Sequence, residues 1–175
     1  PIFYDNKANL NVSSGNIDAK RTEVKNLVDN NFNQSPLVNA GLEVKDNGVD
    51  LDIKVKTEFF ESTTGDYRVA VWVLENNVEN AQSGQSGNPQ HPFVLRTTAN
   101  GVTGDLFATG AITAGETSEM SFSVDVNPSW DMDNLSFAAV IWKDNGGSYV
   151  FENVYSVDEI QLSTSTDDLS DDLEF

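Results

Sequence analysis

The chain contains no cysteine. Disulfides, thiolate metal sites and thiol nucleophiles are therefore excluded, since each needs the sulfur itself. Any extracellular version must be held by its packed core alone. There is a single histidine, His91, so no metal site built on several imidazoles exists. Cations are scarce as well: 10 Lys plus Arg stand against 28 Asp plus Glu, a formal net charge of −18. Nucleic acids and anionic membranes bind through cationic contacts that displace counterions, so this surface repels both. The same charge suits solubility, cation binding or a basic partner. No apolar run approaches the ~20 residues of a membrane-spanning helix, so direct membrane insertion is not expected. No glycine-rich phosphate loop follows a strand, because Gly101 and Gly104 lack the helix and lysine that such a loop needs. Pro1 stands where an initiating Met would be, which points to processing or a trimmed fragment.

What the chain does contain is β sequence punctuated by turns. With 175 residues and 38% hydrophobic content, it is long and apolar enough for one β domain with a real core. Val49, Leu51, Ile53 and Val55 alternate with Asp50, Asp52, Lys54 and Lys56, which predicts one wet and one buried face. Asp46-Asn47-Gly48 before them is a hairpin signal, as Asn-Gly accepts positive φ. Tyr67 to Leu74 is a β-branched and aromatic strand. Met120, Phe122, Val124 and Val126 again show period two, and Asn127-Pro128-Ser129-Trp130 reads as a corner. Leu135 to Trp142 is almost continuously apolar, which predicts a central strand buried on both faces. Asp144-Asn145-Gly146-Gly147 turns it into Tyr149-Val150-Phe151, and the chain stays extended to Leu162. Together these predict a mainly β fold, an antiparallel β-sandwich of immunoglobulin or jelly-roll type. Val69, Val71, Val94, Phe122, Val124, Phe137, Ala139 and Ile141 are expected to face inward.

Before the sandwich, Ile2-Phe3-Tyr4-Asp5 predicts a short strand. Asn16 is placed to cap a helix from Ile17 to about Asn31, with Ile17, Val24, Leu27 and Val28 on one face. Ser35-Pro36 ends it. After Ser163, Thr164 to Glu174 is rich in Ser, Thr and Asp and is expected to form a disordered acidic tail or a partner-binding arm. The expected division is therefore 1–35, strand plus helix; 36–163, β-sandwich; 164–175, acidic tail or linker.

Candidate functional residues are few. The segment from Glu75 to Gln90 exceeds the usual 4–6 residues of a connection, and long loops on rigid strands often carry function. It leads into His91-Pro92-Phe93-Val94-Leu95-Arg96. His91 and Arg96 are candidate binding residues, with simpler roles beside them: His91 hydrogen-bonded to loop backbone, and Arg96 paired with a carboxylate across the sheet. The three tryptophans, Trp72, Trp130 and Trp142, offer a sugar-stacking platform, although their apolar strands favour core packing. Trp130, in a corner beside Pro128, is the one expected to be exposed and is the third candidate. Asp131-Met132-Asp133-Asn134 and Asp144-Asn145-Gly146 look like fragments of calcium loops without the closing Glu, and Asp-Asn-Gly is equally ordinary hairpin chemistry. No cofactor is expected beyond Ca2+ at a loop end, and no catalytic or metal-ligating residue is assigned. Carboxylates are numerous, but none lies in a context that would set up a glycosidase pair.

The order of these pieces resembles the 28-kilodalton outer-membrane-protein (Omp)-related family of envelope proteins, whose β-sandwich follows a thioredoxin-like domain. Val71-Trp72-Val73-Leu74-Glu75, Gln90 to Arg96, Gly101 to Gly104 and Gly65 to Ala70 stand in the family's characteristic places, across roughly Val38 to Val157. Pro92-Phe93 departs from the family's more frequent Asn-His. Pro1 to Lys7 and the helix after Asn16 look like a remnant of the thioredoxin-like fold without its active-site half, so no redox activity carries over. The resemblance implies an envelope, outer-membrane-associated or extracellular location and no defined catalysis. The expected function is a non-enzymatic binding or assembly module, envelope-associated or secreted. Its partner is expected to be an envelope protein, another copy of itself, or a glycan. A structural subunit of a surface assembly or filament is the alternative, and a carbohydrate-active enzyme a third.

Overall fold

The structure, a computed structural model, describes residues 2–4, 8–10, 15–32, 35–158 and 160–162. The chain divides into two compact units, Pro1–Leu37 and Val38–Phe175. In the first, β1 (Ile2–Tyr4) pairs antiparallel with β2 (Ala8–Leu10). Helix α1 spans Ile17–Phe32, and the Asn16 carbonyl accepts from the Lys20 amide at 3.0 Å. Ion pairs at helical spacing, Lys20–Glu23 at 2.6 Å and Lys25–Asp29, support it by a few tenths of a kcal/mol each. Ile17, at the first helical position, is exposed rather than on a buried face, while Val24 is half-buried. The side chains of Leu27 and Val28, and the acidic tail from Thr164, lie outside the described residues. Among the described residues no helix is long and apolar enough to cross a membrane.

The second unit is the antiparallel β-sandwich that the alternation predicts. One sheet has β6 (Asp66–Glu75) and β13 (Leu135–Asp144) at its centre, with β14 (Tyr149–Val157) beside β13. β9 (Val94–Thr98) and β10 (Asp105–Ala108) share the other flank of β6. The opposite sheet runs β12 (Thr117–Asp125), β4 (Asp50–Phe59), β3 (Val38–Asp46), then β15 (Gln161–Leu162), which joins β3 in parallel. Two small ribbons complete it: β5 (Thr63–Thr64) with β11 (Ala111–Ile112), and β7 (Val78–Glu79) with β8 (Gln90–His91).

The β6–β13 ladder runs unbroken from Glu75↔Leu135 to Asp66↔Asp144. Val69, Val71 and Val73 meet Ile141, Ala139 and Phe137 on the inner face, and all six are 0% exposed. From the other sheet Leu51, Ile53, Val55, Leu42 and Val44 close the core, each aliphatic side chain contributing about 1.5–3 kcal/mol. Phe59 joins the sheets edge-on to Tyr67 at 5.0 Å and stacked on Phe107 at 5.7 Å. β13 lies between two strands, which explains its continuous apolar run: Leu135 to Ile141 are all buried. Of the residues expected inward, Val94 and Phe122 are only half-buried, because β9 and β12 are edge strands.

Trp72 and Trp142 are not in the core. Trp72 pairs with Ala138 and Trp142 with Arg68, on the outer face of the sheet. Four residues separate these pairs along the strands, about 13 Å, yet the ring centroids are 6.4 Å apart. The indoles therefore lean together over the small Ala70–Val140 pair, which is buried. Phe151 meets Trp142 edge-on at 6.0 Å, and the Trp72 indole N–H donates to the Val102 carbonyl at 3.1 Å. An apolar run cannot by itself say which side of a two-sided sheet a tryptophan takes.

Between β10 and β9 the flank of β6 has a gap, and Asn100 fills it. Its Oδ1 accepts from the Val71 amide at 3.0 Å and its Nδ2 donates to the Val69 carbonyl at 2.9 Å. This close approach requires Gly104, where φ is +70° and a Cβ would stand 2.0 Å from the Val69 carbonyl oxygen. Gly104→Ala is expected to destabilise the protein by about 3 kcal/mol through clash and backbone strain, as measured by urea unfolding.

At the far end of the ladder, Asp144 accepts from the Gly147 amide at 2.8 Å and from Arg68 Nε at 2.8 Å. The Gly147 hydrogen bond first, and the Arg68 guanidinium second, hold its carboxyl below the usual carboxylate value. A depressed folded pKa gives stability that is present above the unfolded value of about 3.9 and is lost as pH falls through the lower, folded value. Asp144→Asn should therefore lower Tm at neutral pH, and the gap to the native protein should close in thermal melts taken below about pH 4.

Candidate functional site

The two seams of the sandwich differ. On one side β14 approaches β3, and Asn153 bridges the sheets. It sits at the irregularity in the β13–β14 register, from where its Nδ2 donates to the Val38 carbonyl at 2.9 Å and to Asn39 Oδ1 at 3.2 Å. That seam is closed. On the opposite side, among the described residues, β9 pairs only with β6 and β12 only with β4. Near β10 the seam is held by Phe107 on Phe59. Beside β9 it opens into a groove of about 620 Å3. Arg96, Thr97 and Thr98 of β9 form one wall, Ser123, Val124 and Asp125 of β12 the other, and Val126, Asn127, Pro128 and Trp130 the end. The half-buried Val94 and Phe122 belong to these same edge strands.

The corner that presents Trp130 is built locally. Asn127 Oδ1 accepts from the Ser129 amide at 2.9 Å and its hydroxyl at 2.8 Å, and the Trp130 amide donates to the Asn127 carbonyl at 3.0 Å. Trp130 is left half-buried at the groove. On the other wall Arg96 Nε donates to Glu75 Oε2 at 2.8 Å, as expected for an arginine that anchors the strand after the long loop. Glu75 is buried, so its carboxylate has given up water and takes the guanidinium as its partner. Arg96 and Trp130 are therefore brought to one groove.

His91 is not. It lies in β8, paired with Val78, and its Nε2 is 3.1 Å from the Asn80 carbonyl. With the Asn80 amide bonded to the Pro89 carbonyl at 3.3 Å, it fastens the neck of a flap whose tip, Ala81 to Asn88, is exposed. The two calcium-like fragments are used within their own turns. Asp131 accepts from the Asp133 amide and from Asn134 Nδ2, at 3.2 and 2.7 Å, and Asp144 is bound as described. Among the described residues no group of three or more His, Cys, Asp or Glu is placed to hold a metal ion. Sequence reasoning did not find Thr97, Thr98, Ser123, Asp125 or Asn127. Only the Asn127-Pro128 corner carried a local signal, because which strands become edges is decided by the whole topology.

Chemically, the groove offers hydroxyls, one amide, one guanidinium, one carboxylate and one indole. This set recognises by hydrogen bonding and stacking. Arg96→Ala is expected to cost about 2–4 kcal/mol by leaving Glu75 buried without its cation. Arg96→Met with Glu75→Leu should recover most of that loss in denaturant unfolding, since the cost lies in the orphaned charge.

The model of the family described as Outer membrane protein Omp28 matches residues 6–165. No curated protein matches the sequence. Among solved structures the chain is similar to HBP35 of Porphyromonas gingivalis, with TM-score 0.68 and 14% identity over 94% of this chain and 53% of that one. It thus spans about half the length of that relative. It is also similar to a domain of the outer membrane lipoprotein Omp28 from Porphyromonas gingivalis, with TM-score 0.52 and 18% identity over 75% of this chain and 93% of that one. At these identities the likeness to both structures is one of fold.

Proposed function

Because the chain belongs to the Omp28 family of outer membrane proteins and is thereby an envelope protein associated with the outer membrane, we propose that it is a non-catalytic binding module of that envelope, whose open seam receives an extended segment of a partner protein. The observation that carries this reading is the asymmetry of the seams. One is bridged by Asn153, and the other opens into the groove between β9 and β12, whose Val94 and Phe122 are only half-buried; among the described residues neither strand has a partner on that side. A free strand edge is a ready template for pairing, and peptides bind many domains by adding a strand to such an edge, with main-chain hydrogen bonds giving affinity. A strand laid along β12 would also cover Phe122 and Val94. The acidic outward residue Asp125 on β12, and the net charge of −18, favour a segment carrying lysine or arginine.

The non-catalytic part of the reading is supported by the groove's lining, which includes a single carboxylate, Asp125, where glycoside hydrolysis uses two. A glycan is the second reading, favoured by one feature: Trp130 beside Thr97, Thr98 and Ser123 is a stacking ring next to hydroxyl partners.

The test is capture from solubilised outer membrane by the intact chain, compared with Ser123→Trp, which fills the groove, and Trp130→Ala. Both variants should keep the native circular dichroism and lose captured partner by about tenfold, the size of a single hot-spot loss. Protease treatment of the membrane fraction should abolish capture and periodate should not; the reverse would select the glycan. Capture undiminished by Ser123→Trp would move binding away from the seam.

A further inference from the structure

Phe93 stands where a phenylalanine is least expected. It is 65% exposed, and its backbone φ is +52°, a left-handed conformation that is an outlier for a bulky side chain. Both preferences of the residue, to be buried and to be extended, are overridden. The surrounding contacts show how. The Phe93 amide donates to Asn76 Oδ1 at 3.0 Å. The Asn76 amide donates to the Asn134 carbonyl at 2.9 Å, and Asn77, itself at φ +59°, donates through Nδ2 to Asn134 Oδ1 at 2.8 Å. The flap neck, the start of β9 and the turn at Met132–Asn134 are thereby tied into one scaffold. Left-handed φ is ordinary for Asn77 but not for Phe93, so Phe93 is an outlier held by its surroundings, and such outliers cluster at functional sites.

We propose that Phe93 is a preformed anchor through which the protein docks on a partner protein whose apolar pocket is rimmed by lysine and arginine. An exposed rigid aromatic is the residue type that dominates protein interfaces, because it offers large apolar area while losing little freedom on binding. Leu95, 47% exposed two residues on, widens the apolar contact. The charge on the elements tied to the Phe93 backbone sets the rim. Glu79 on β7 and Asp133 in the tied turn are exposed carboxylates. The nearest cation on β9, Arg96, is committed to Glu75, and His91 to the Asn80 carbonyl. A cationic border on the partner complements this ring. The anchor is independent of the seam reading, since Phe93 is not among the residues that line the groove.

The substitution Phe93→Gly separates anchoring from folding. Glycine adopts positive φ without strain, so a ring that is only presented can be removed with Tm unchanged or raised. A ring that packs for stability would take Tm down with it. The probe is a phage-displayed library of random peptides constrained on a folded scaffold, so that they can present an apolar pocket, panned on the intact chain. Enriched peptides should combine aromatic or aliphatic residues with lysine or arginine, and should bind Phe93→Gly at least about tenfold more weakly. Phe93→Ala, which keeps the strain and removes the ring, should lose the same peptides. A lowered Tm for Phe93→Gly, peptides that bind the variants as tightly as the native chain, or an acidic or wholly polar consensus would each overturn the proposal.

Discussion

The pairing of Asp66–Glu75 with Leu135–Asp144 constrains everything else in the sandwich. Ten residue pairs run in one unshifted register, and the ladder carries apolar side chains on both faces. Its inner face, Val69, Val71, Val73, Phe137, Ala139 and Ile141, is the core. Its outer face must also be managed, and the two tryptophans do so by lying together over Ala70 and Val140. A one-residue slip would exchange the two faces and place the indoles in a space filled by valine and alanine. The register is therefore fixed by side-chain volume as well as by hydrogen bonds.

From that central ladder the two flanks diverge. On the β13 side, β14 is a nine-residue strand whose irregularity turns Asn153 toward the opposite sheet. On the β6 side no single strand runs the full length. β10 and β9 divide the flank, Asn100 and Gly104 fill the interval, and the Glu75–Arg96 pair secures the end. The divided flank leaves space between β9 and β12. The groove beside Arg96 and Trp130 is the geometric consequence, and the functional reading rests on it.

Much of this was legible in the sequence. The alternation of Val49 to Val55 and the unbroken apolar run at Leu135 located a wet-and-dry strand and a central one, and Asp46-Asn47-Gly48 and Asp144 to Gly147 gave the turns. These are local signals with one physical solution each. Arg96 pairing with a carboxylate and His91 bonding to loop backbone also followed, because a cation scarce among many carboxylates readily finds one across the sheet and a lone imidazole in a loop finds a carbonyl. The side of the sheet taken by Trp72 and Trp142 was not legible, since both faces of that strand are apolar. Nor was the partial exposure of Val94 and Phe122, which depends on which strands end up at an edge. The strain at Phe93 was hidden for another reason: nothing in Pro92-Phe93-Val94 announces a left-handed phenylalanine, and it is Asn76 and Asn134, distant in sequence, that hold it.

Completion of the open seam by an added strand can be read from amide hydrogen exchange on the intact chain with and without its captured partner. Exchange should slow along β12 from Ser118 to Val124 and in β9 at Thr97 and Thr98, with the amides of β14 and β3 at the closed seam unchanged. Protection confined to the closed seam, or absent from both edge strands while the partner is demonstrably bound, would contradict it.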